Sequence, residues 1–375
     1  MRLNRLWIKS IRNLCEIDHL FSHSKTFIYG ENGQGKTNLL ESIYLLCLAK
    51  SFRTRDDADL LPIETDFFRV EGELADTNGS NHRVVVYFSE ATGKKIQLDG
   101  KPLRPFSALV GKFPVVALSA GDQSITLGPP SERRRFINIL LSQSSHRYLD
   151  DLKEYERILK HRNALLSRSL QGECISAQQI DPWDERLVCK GEALVLSREK
   201  MTIELNALLS SAYSYLTGGN QVLSLSYKPN VPMIAGQERR ETFFRRLKTA
   251  SAKERKQGIS LVGPHRDDFV FMISGRDLRR FGSRGEHKSV LVSLKSAEAF
   301  FLQEKTNTAP LLLLDDLFAE LDEMRGKKAI SLFSQSCQIF ITGTTADYMA
   351  LKPFLEKEGE FDPLFVQQGK VNKQT

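Results

Sequence analysis

Residues 30–37 of this chain read Gly30-Glu31-Asn32-Gly33-Gln34-Gly35-Lys36-Thr37. The run fits the pattern GxxxxGK[ST] in full. It lies between a short apolar stretch that ends at residue 29 and a helical pattern of apolar residues that continues to about residue 49. Glycines in such a loop let backbone N–H groups close around a phosphate, and the following helix adds the partial positive charge of its N-terminus. The stretch therefore predicts a phosphate-binding loop between a strand and a helix.

The loop and a distant aspartate together predict a site for ATP and Mg²⁺. All eight loop residues are expected to contact ATP, with Lys36 on the β- and γ-phosphates and the Thr37 hydroxyl on the metal. A second metal ligand is expected at the end of a buried strand. The four leucines 311–314 have the pattern of such a strand, and Asp315 follows them directly. Asp316, one residue further on, is the candidate catalytic residue that polarises the attacking water.

The sequence separation of these two parts indicates an inserted domain. Lys36 and Asp315 are 279 positions apart, which is unlike a small GTPase or a nucleotide kinase. Strand and helix patterns alternate near the C-terminus, as in a parallel sheet covered by helices. We therefore predict an α/β head in two parts, residues 1–128 and 258–375, with an antiparallel β subdomain in the first part. Residues 129–257 are predicted to form an inserted helical arm.

A serine and a glycine at a predicted helix start indicate a nucleotide site that is shared between two subunits. Ser283 and Gly285 open a helix that extends to about residue 304, and Asp322 lies in a short loop after the aspartate strand. This order of motifs is that of an ABC ATPase, in which the signature serine and the helix N-terminus face the ATP of a second subunit. Ser283, Gly285 and Asp322 are accordingly predicted to contact ATP in trans, in an ATP-dependent homodimer.

Five longer stretches resemble the RecF family of SMC-like ABC ATPases. They are GENGQGKTNLLE at 30–41, AKSFR at 49–53, PSERRRF at 130–136, GPHRDD at 263–268 and LDDLFAELD at 314–322. They occur in the order of the family over about residues 1 to 345. The resemblance implies an SMC-like head with a helical arm, ATP-dependent dimerisation, slow ATP hydrolysis and DNA binding. It also implies work with RecO and RecR to load RecA at single-strand gaps, in recombinational repair and replication restart.

Several positions depart from the pattern of that family or of ABC enzymes. Residues 119–122 read Ser-Ala-Gly-Asp instead of Ser-Pro-Glu-Asp, and Asp122 and Gln123 are both candidates to approach the metal. The signature at 283–287 reads Ser-Arg-Gly-Glu-His instead of Ser-Gln-Gly-Gln-Gln. Asp316 stands where most ABC enzymes carry glutamate, and threonines within 341–345 replace the switch histidine of transporters. These departures are expected to affect hydrolysis more than ATP binding.

The charge of the chain favours a polyanionic partner. The formal net charge is +7, and basic residues cluster in a predicted helix over about 238–255. Contacts to single- and double-stranded DNA phosphates, independent of sequence and sensitive to salt, are predicted there. The residues are Arg239, Arg240, Arg245, Arg246, Lys253, Arg255 and Lys256. The alternative is a basic helix face that is merely solvated. Aromatic residues are not interleaved in a way that predicts a base-stacking platform.

Other features narrow the class of protein. No run of eighteen apolar residues is present, so no membrane-spanning helix is expected. The five cysteines are dispersed without a CxxC pair, which favours a reducing cytoplasm over a zinc site or a disulfide framework. His265 and Arg266 lie in a glycine- and proline-containing turn, and they are either structural or contacts to DNA or nucleotide. Two functional alternatives remain, an SMC-type ATP-gated DNA clamp with incidental turnover and an ABC transporter ATPase subunit.

Overall fold

The computed structural model describes residues 1–63, 65–219, 221–233, 236–316, 323–333 and 337–372 of the chain. The chain divides into two compact units. Unit 1 consists of Met1–Gln123, Leu208–Asn220 and Ser283–Thr375, and unit 2 consists of Ser124–Ala207 and Gln221–Gly282. No helix among the described residues combines the length and the apolar character needed to cross a membrane.

Strands and helices are numbered here along the described residues. The strands are β1 Arg2–Ile11, β2 Leu14–Leu20, β3 Lys25–Tyr29, β4 Phe67–Ala75, β5 Asn81–Ser89, β6 Gly93–Leu98, β7 Lys101–Pro102, β8 Val115–Leu118, β9 Leu223–Lys228, β10 Asp268–Ile273, β11 Arg276–Asp277, β12 Leu311–Leu314, β13 Gln338–Gly343, β14 Asp362–Gln367 and β15 Lys370–Asn372. The helices are α1 Lys36–Leu48, α2 Gln123–Leu127, α3 Pro130–Ser144, α4 His146–Leu170, α5 Ala177–Thr217, α6 Arg239–Gln257, α7 Leu278–Phe281, α8 Arg284–Thr306, α9 Glu323–Phe333 and α10 Thr345–Lys357.

A mainly parallel sheet forms the centre of unit 1. Its strand order is β15-β14-β3-β13-β12-β8, with β15 antiparallel at one edge and the other strands parallel. β3, β8, β12 and β13 are buried along their whole length, which explains why they are runs of mostly apolar residues. The loop after β3 and the residue after β12 therefore meet at the carboxyl edge of the sheet, on either side of β13. The predicted α/β head is confirmed.

An antiparallel sheet with the order β2-β1-β4-β5-β6-β7 forms the other layer of unit 1. Strand β1 alternates between buried and more exposed residues, with Leu3, Leu6, Ile8 and Ile11 in the core. Helix α1 contacts strands of both sheets. Because it lies between two layers, every residue of α1 except Thr37 and Asn38 is buried. This packing holds the N-terminus of α1, and with it the phosphate loop, in a fixed place.

Unit 2 combines helices with a small antiparallel sheet in the order β11-β10-β9. Helix α4 packs against α3 and α6, and α3 also contacts β10. The segment predicted as a basic helix is α6, which ends at Gly258 in a left-handed conformation typical of a helix C-terminus. The sequence pattern therefore located this helix to within one or two residues at either end.

A buried ion pair lies at the centre of unit 2. Asp267 is fully buried, and its carboxylate is 2.7 Å from Nη1 of Arg198, which is also buried. The same carboxylate accepts hydrogen bonds from the backbone N–H of Asn230, at 2.7 Å, and from the Tyr227 hydroxyl. These contacts join α5, β9 and the loop before β10. The GPHRDD stretch thus has a structural role through Asp267.

His265 is also bound within unit 2. Its Nδ1 is 2.6 Å from the Tyr155 hydroxyl and its Nε2 is 3.1 Å from the carbonyl oxygen of Ser260. Burial lowers the pKa of His265 to about 4, so the imidazole is neutral at physiological pH. Arg266 donates through Nε and Nη2 to the same Ser260 carbonyl, at 3.2 and 2.9 Å. These contacts favour the structural one of the two interpretations for this turn.

The division into units departs from the predicted boundaries at 128 and 257. Residues 258–282 lie in unit 2, because β10 pairs with β9 along its whole length, from Asp268↔Lys228 to Ile273↔Leu223. The last turns of α5, in Leu208–Asn220, belong instead to unit 1. The apolar stretch 259–262, which has a strand-like composition, is a loop. The backbone N–H groups of Ser260 and Leu261 donate to side chains, to Asn163 Oδ1 at 2.8 Å and to Glu254 Oε1 at 2.7 Å.

Candidate functional site

The loop at 30–37 has the backbone geometry that its glycines permit. Gly30 and Gly35 have φ values of 150° and 110°, which residues with a side chain rarely adopt. A Cβ at Gly30 would also lie 2.2 Å from the carbonyl oxygen of Val366 in β14, and a Cβ at Gly35 would lie 2.7 Å from Leu14 Cδ2. The loop is therefore closely enclosed by its neighbours, with no space for other residues at these two positions.

The side chain of Lys36 lies within this loop. It is buried, and its Nζ donates to the carbonyl oxygens of Gly30 and Glu31, both at 2.9 Å. These partners are neutral, and the first turn of α1 carries no acidic residue. A buried ammonium group whose partners among the described residues are neutral carbonyls, at the N-terminus of a helix of 13 residues, is suited to bind a polyphosphate.

Thr37 and Asp315 meet at the carboxyl edge of the parallel sheet. The Thr37 hydroxyl oxygen lies 2.8 and 3.0 Å from the two carboxylate oxygens of Asp315. Burial raises the pKa of Asp315, and hydrogen bonds from Thr342 and Thr37 oppose that shift. A hydroxyl and a carboxylate side by side are oxygen ligands of the kind that Mg²⁺ prefers. The residues present therefore fit a magnesium ion beside the phosphate loop.

Thr342 connects the two aspartates and has no individual role in the sequence predictions. Its hydroxyl donates to Asp315 Oδ1 at 2.8 Å and accepts from the backbone N–H of Asp316 at 2.9 Å. Asp316 has a φ of 48°, a left-handed conformation that Asp and Asn tolerate better than most residues. Thr344 instead caps α10 through Asp347. Of the threonines in 341–345, Thr342 is thus the one bound to the predicted metal ligand.

The rim of the loop includes residues that sequence reasoning missed. Asn13, in the turn between β1 and β2, donates through Nδ2 to the carbonyl oxygen of Gly33 at 2.8 Å. Asn38 Nδ2 donates to Asn13 Oδ1 at 2.7 Å, and Arg53 Nη1 donates to Asn38 Oδ1 at 2.8 Å. The turn itself can be recognised between two strand patterns, but its contact with the loop depends on the tertiary structure.

Asp122 is engaged by protein groups, which bears on its predicted approach to a metal. Its carboxylate accepts from the backbone N–H of Ser119 at 2.7 Å, and Lys295 Nζ of α8 lies 3.3 Å from its other oxygen. Lys295 Nζ is also 3.2 Å from Glu298 Oε2, and burial raises the pKa of Glu298 to about 7. Asp122 therefore joins the end of β8 to α8 through an ion pair.

The predicted trans contacts lie at the start of α8. Ser283 is the N-cap, and it forms a capping box with Glu286. Ser283 and Gly285 are both exposed, and the atom nearest to a Cβ built at Gly285 is Arg325 Nη1, at 3.9 Å. The backbone at this helix start is therefore open to close approach by another molecule. Asp322 lies outside the described residues.

The basic residues predicted to bind DNA differ in their surroundings on α6. The prediction for Arg239 is corrected, because its side chain is buried and its Nη2 lies 2.7 Å from Glu199 Oε1. Arg240 is exposed but bound to Glu192 at 2.6 Å, and Arg255 Nη1 donates to the Ile175 carbonyl oxygen at 2.9 Å. A guanidinium that is buried in an ion pair, as in Arg239, is not available to a phosphate.

Four other predicted positions on α6 are exposed, namely Arg245, Arg246, Lys253 and Lys256. Arg245 donates to the side chain of Gln237 and Arg246 donates to the backbone carbonyl of Asn230. Both partners are neutral, so neither charge is compensated by them. The available basic face of α6 is accordingly smaller than the sequence predicts, and it consists of these four residues with Lys248.

Alanine at Gly30 is expected to impair the loop more than alanine at Gly33. Both glycines have positive φ, so both substitutions carry a backbone strain of about 1–2 kcal/mol. Only Gly30→Ala adds a clash with Val366, because a Cβ at Gly33 has nothing within 4 Å. Thermal unfolding and titration with a fluorescent ATP analogue test this. Equal losses of thermal stability and of ATP affinity in the two variants would show that the packing of β14 against Gly30 is unimportant.

Comparison with known proteins places this geometry in a family. The model of the RecF/RecN/SMC N terminal domain matches residues 2–355. A Chloroherpeton thalassium protein named DNA replication and repair protein RecF is 35% identical over 350 residues, which cover 92% of this chain and 95% of that protein. A Staphylococcus aureus protein of the same name is 33% identical, with coverage of 92% and 94%.

Solved structures show the same likeness. A structure of the recombination mediator protein RecF-ATP in the RecFOR pathway has a TM-score of 0.89 and 28% identity, and the match covers 100% of this chain and 97% of that chain. The corresponding RecF-ATPrS structure has a TM-score of 0.88 and 28% identity, with coverage of 100% and 98%. An SmcHead bound to the C-winged helix domain of ScpA, at 14% identity and a TM-score of 0.57, shares the fold.

Proposed function

The chain belongs to the RecF family of DNA replication and repair proteins, and from that membership we propose that it binds ATP, dimerises around it and acts on DNA in recombinational repair. The observation that carries this proposal is the meeting of Thr37 and Asp315, from opposite ends of the chain, beside the buried Lys36. Such a constellation is what nucleotide binding with a metal requires.

The residues of the head have distinct roles in this proposal. Lys36 and the backbone N–H groups of residues 30–37 bind the phosphates, and Thr37 and Asp315 hold Mg²⁺, which neutralises phosphate charge. Asp316 orients or deprotonates the attacking water. Thr342 keeps both aspartates in place through its hydroxyl.

The dimer of the proposal has two composite ATP sites. Ser283 and Gly285 of one copy, with Asp322, contact the ATP held by the loop of the other copy. This is supported by the exposure of the start of α8 and by the open space at Gly285. Because ATP then binds the dimer more tightly than the monomer, ATP shifts the equilibrium towards the dimer.

DNA is the proposed polymer ligand, at gaps and at junctions of single and double strands. The net charge and the exposed basic residues of α6 support phosphate binding without sequence preference. By family membership, we further propose that the chain works with RecO and RecR to promote RecA loading. Sedimentation with and without ATP and DNA tests the proposed function. A monomer that is unchanged by both ligands would contradict it.

An SMC-type clamp is the second candidate function. Asp316, shorter than the glutamate of most ABC enzymes, favours it, because a shorter side chain reaches less far towards a water molecule. In a clamp, ATP gates binding to DNA and turnover is incidental. ATP turnover measured with and without DNA discriminates between the two functions, since only a DNA-coupled enzyme accelerates when DNA is added.

Reversing two charges of α6 is expected to weaken binding to all DNA sequences alike. Arg245→Glu/Arg246→Glu should flatten the salt dependence of binding by roughly one unit of slope per lost phosphate contact. ATP binding should persist, because the change is remote in sequence from the loop. Fluorescence anisotropy of labelled duplex DNA over a range of salt concentrations measures this. The control is Lys101→Glu/Lys112→Glu, two exposed positions of unit 1. If the α6 variant and the parent had identical salt slopes, the basic face of α6 would be only solvated and would not bind DNA.

A further inference from the structure

A polar cavity of about 450 Å³ opens in unit 2 beside β10 and α7. Its charged lining consists of Arg133, Asp268, Asp277, Arg279 and Arg280, and apolar residues of β10 complete it. We call it the α7 pocket. Its volume is within the range of about 300–1,000 Å³ found for small-ligand sites. The pocket is large enough to take one nucleotide unit of a polymer.

Both carboxylates of the α7 pocket are already engaged. Asp268 is bound by the guanidinium of Arg133 at 2.8 and 3.2 Å, and Arg133 also donates to the carbonyl oxygen of Gly128 at 2.9 Å. Asp277 Oδ1 accepts from the backbone N–H of Arg279 at 2.9 Å and so caps α7. The two carboxylates of the lining are therefore not available to bind a cationic ligand.

The two remaining guanidinium groups have no such partners. Arg279 and Arg280 are exposed, and within the described part of the chain their guanidinium groups form no hydrogen bond or ion pair. Arg276, also exposed, lies three residues before Arg279 and adds to the positive potential. Unpaired guanidinium groups at the edge of a cavity favour an anion, and phosphate matches their planar donors well.

An exposed aromatic ring follows these arginines directly. Phe281, at the end of α7, is 70% exposed. Aromatic rings next to guanidinium groups are typical of surfaces that bind single strands, because the ring stacks on a base while the cations bind phosphates. In a duplex the base faces are covered by neighbouring bases, so a ring at the surface has no such partner there. The sequence did not predict this position for base stacking, because aromatic residues are not interleaved regularly with basic ones.

We propose that the α7 pocket and Phe281 bind single-stranded DNA, with Arg279 and Arg280 on phosphates and the Phe281 ring on a base. This inference rests on the proposed function as a DNA-binding protein, and it adds the site at which a single strand is bound. The basic face of α6 serves duplex phosphates in that scheme. An acidic protein segment is the other polyanion that two arginines would attract, but it leaves the exposed ring without a role.

The test uses the full chain and a fluorescein-labelled thymidine 30-mer. Arg279→Glu/Arg280→Glu should bind it at least about tenfold more weakly, and the salt slope should fall by about 1.4 for two lost contacts at roughly 0.7 each. Lys101→Glu/Lys112→Glu, the same change in charge elsewhere, is the matched control. All substituted side chains are exposed, so unfolding midpoints should be unchanged. Arg279→Gln/Arg280→Gln provides a milder variant with the same expected direction.

The contribution of the ring is tested separately with Phe281→Ala. The variant should lose about tenfold in affinity for the thymidine 30-mer, the effect expected for one stacked base, but nothing for an abasic 30-mer. Phe281→Trp should retain affinity, and its fluorescence should be quenched by the thymidine strand. These outcomes together support the site.

Each contrary result has a distinct meaning. If the arginine variant matches the lysine control while the parent binds DNA, the α7 pocket is overturned and the proposed function stands. If Phe281→Ala binds both 30-mers like the parent, or weakens both equally, base stacking is overturned. If the parent binds polyglutamate more tightly than the thymidine strand through these arginines, the pocket takes acidic protein segments instead. Failure of the parent to bind any DNA overturns the proposed function itself.

Discussion

Lys36→Ala should lower the affinity for ATP by about 100-fold or more, since it removes charge-assisted hydrogen bonds worth about 1.5–3 kcal/mol each. The ammonium group is buried in the loop, and its partners among the described residues are neutral carbonyl groups. The dimer should be lost together with ATP. In the proposed dimer, Ser283 and Gly285 of the other copy would then have no γ-phosphate to contact.

Asp316→Asn should give the opposite assembly behaviour. Asparagine tolerates the left-handed conformation of Asp316, so the backbone and ATP binding should be preserved. The amide cannot accept a proton, and turnover should fall by about 10²–10⁴-fold, the usual contribution of a positioned acid or base. Uncleaved ATP should then accumulate in the dimer, because the ligand favours the state that it binds more tightly.

Light scattering or sedimentation with ATP and Mg²⁺ distinguishes these two variants from the parent. Asp99→Asn is the matched control, since Asp99 also has a left-handed backbone, with φ of 52°, in a β-turn of unit 1. An Asp316→Asn protein that binds ATP but stays monomeric would exclude an ATP shared between two heads. Unchanged turnover in that variant would move the proposed base to Glu320 or Asp322, which lie outside the described residues.

Asp267→Asn is expected to destabilise unit 2 by about 3–5 kcal/mol, the cost of leaving a buried charge uncompensated. The buried guanidinium of Arg198 would lose its carboxylate partner, and the hydrogen bonds from Asn230 and Tyr227 would weaken. Burial raises the pKa of Asp267. The ion pair is nevertheless the form that satisfies both buried groups at neutral pH, since Arg198 remains charged.

Hydrogen exchange measured by mass spectrometry locates this loss. Peptides of α5, β9 and β10 should exchange faster in Asp267→Asn, and peptides of β3, β12 and β13 should keep the protection of the parent. Glu154→Gln is the control, because Glu154 forms its ion pairs with Arg157 and Arg186 at the surface, and their loss should change exchange little. Protection in Asp267→Asn equal to that of the parent would mean that the packing around Arg198 tolerates the missing charge.

Much of the fold could be predicted because it depends on short-range patterns. The glycines of 30–37 mark a loop that only they can form, and the four leucines of β12 mark a strand buried on both faces. The helix α6 was located from its composition of basic residues. Composition is a poor guide at 259–262, whose strand-like apolar residues form a loop held by Glu254 and Asn163.

The candidate site was predictable in part for the same reason. A phosphate loop and an aspartate at a strand end are local signals, and their meeting follows from the rule that parallel strands share one carboxyl edge. Thr342 and Asn13 carry no such signal. A threonine on a buried strand or an asparagine in a turn is common, and only the pairing of β13 with β3 and β12 brings the Thr342 hydroxyl to Asp315.

The sequence by itself therefore determined the phosphate loop, the order of its motifs, and the family, because these are properties of contiguous residues and of their spacing. The tertiary structure alone decided which of the basic residues are available. The buried side chains of Arg239 and Arg198 are each paired with a carboxylate, whereas Arg279 and Arg280 remain exposed beside Phe281. An arginine reads the same in the sequence whether its guanidinium is buried in an ion pair or exposed to solvent. Its partner and its access to solvent depend on segments far away in the chain, so no local pattern records them.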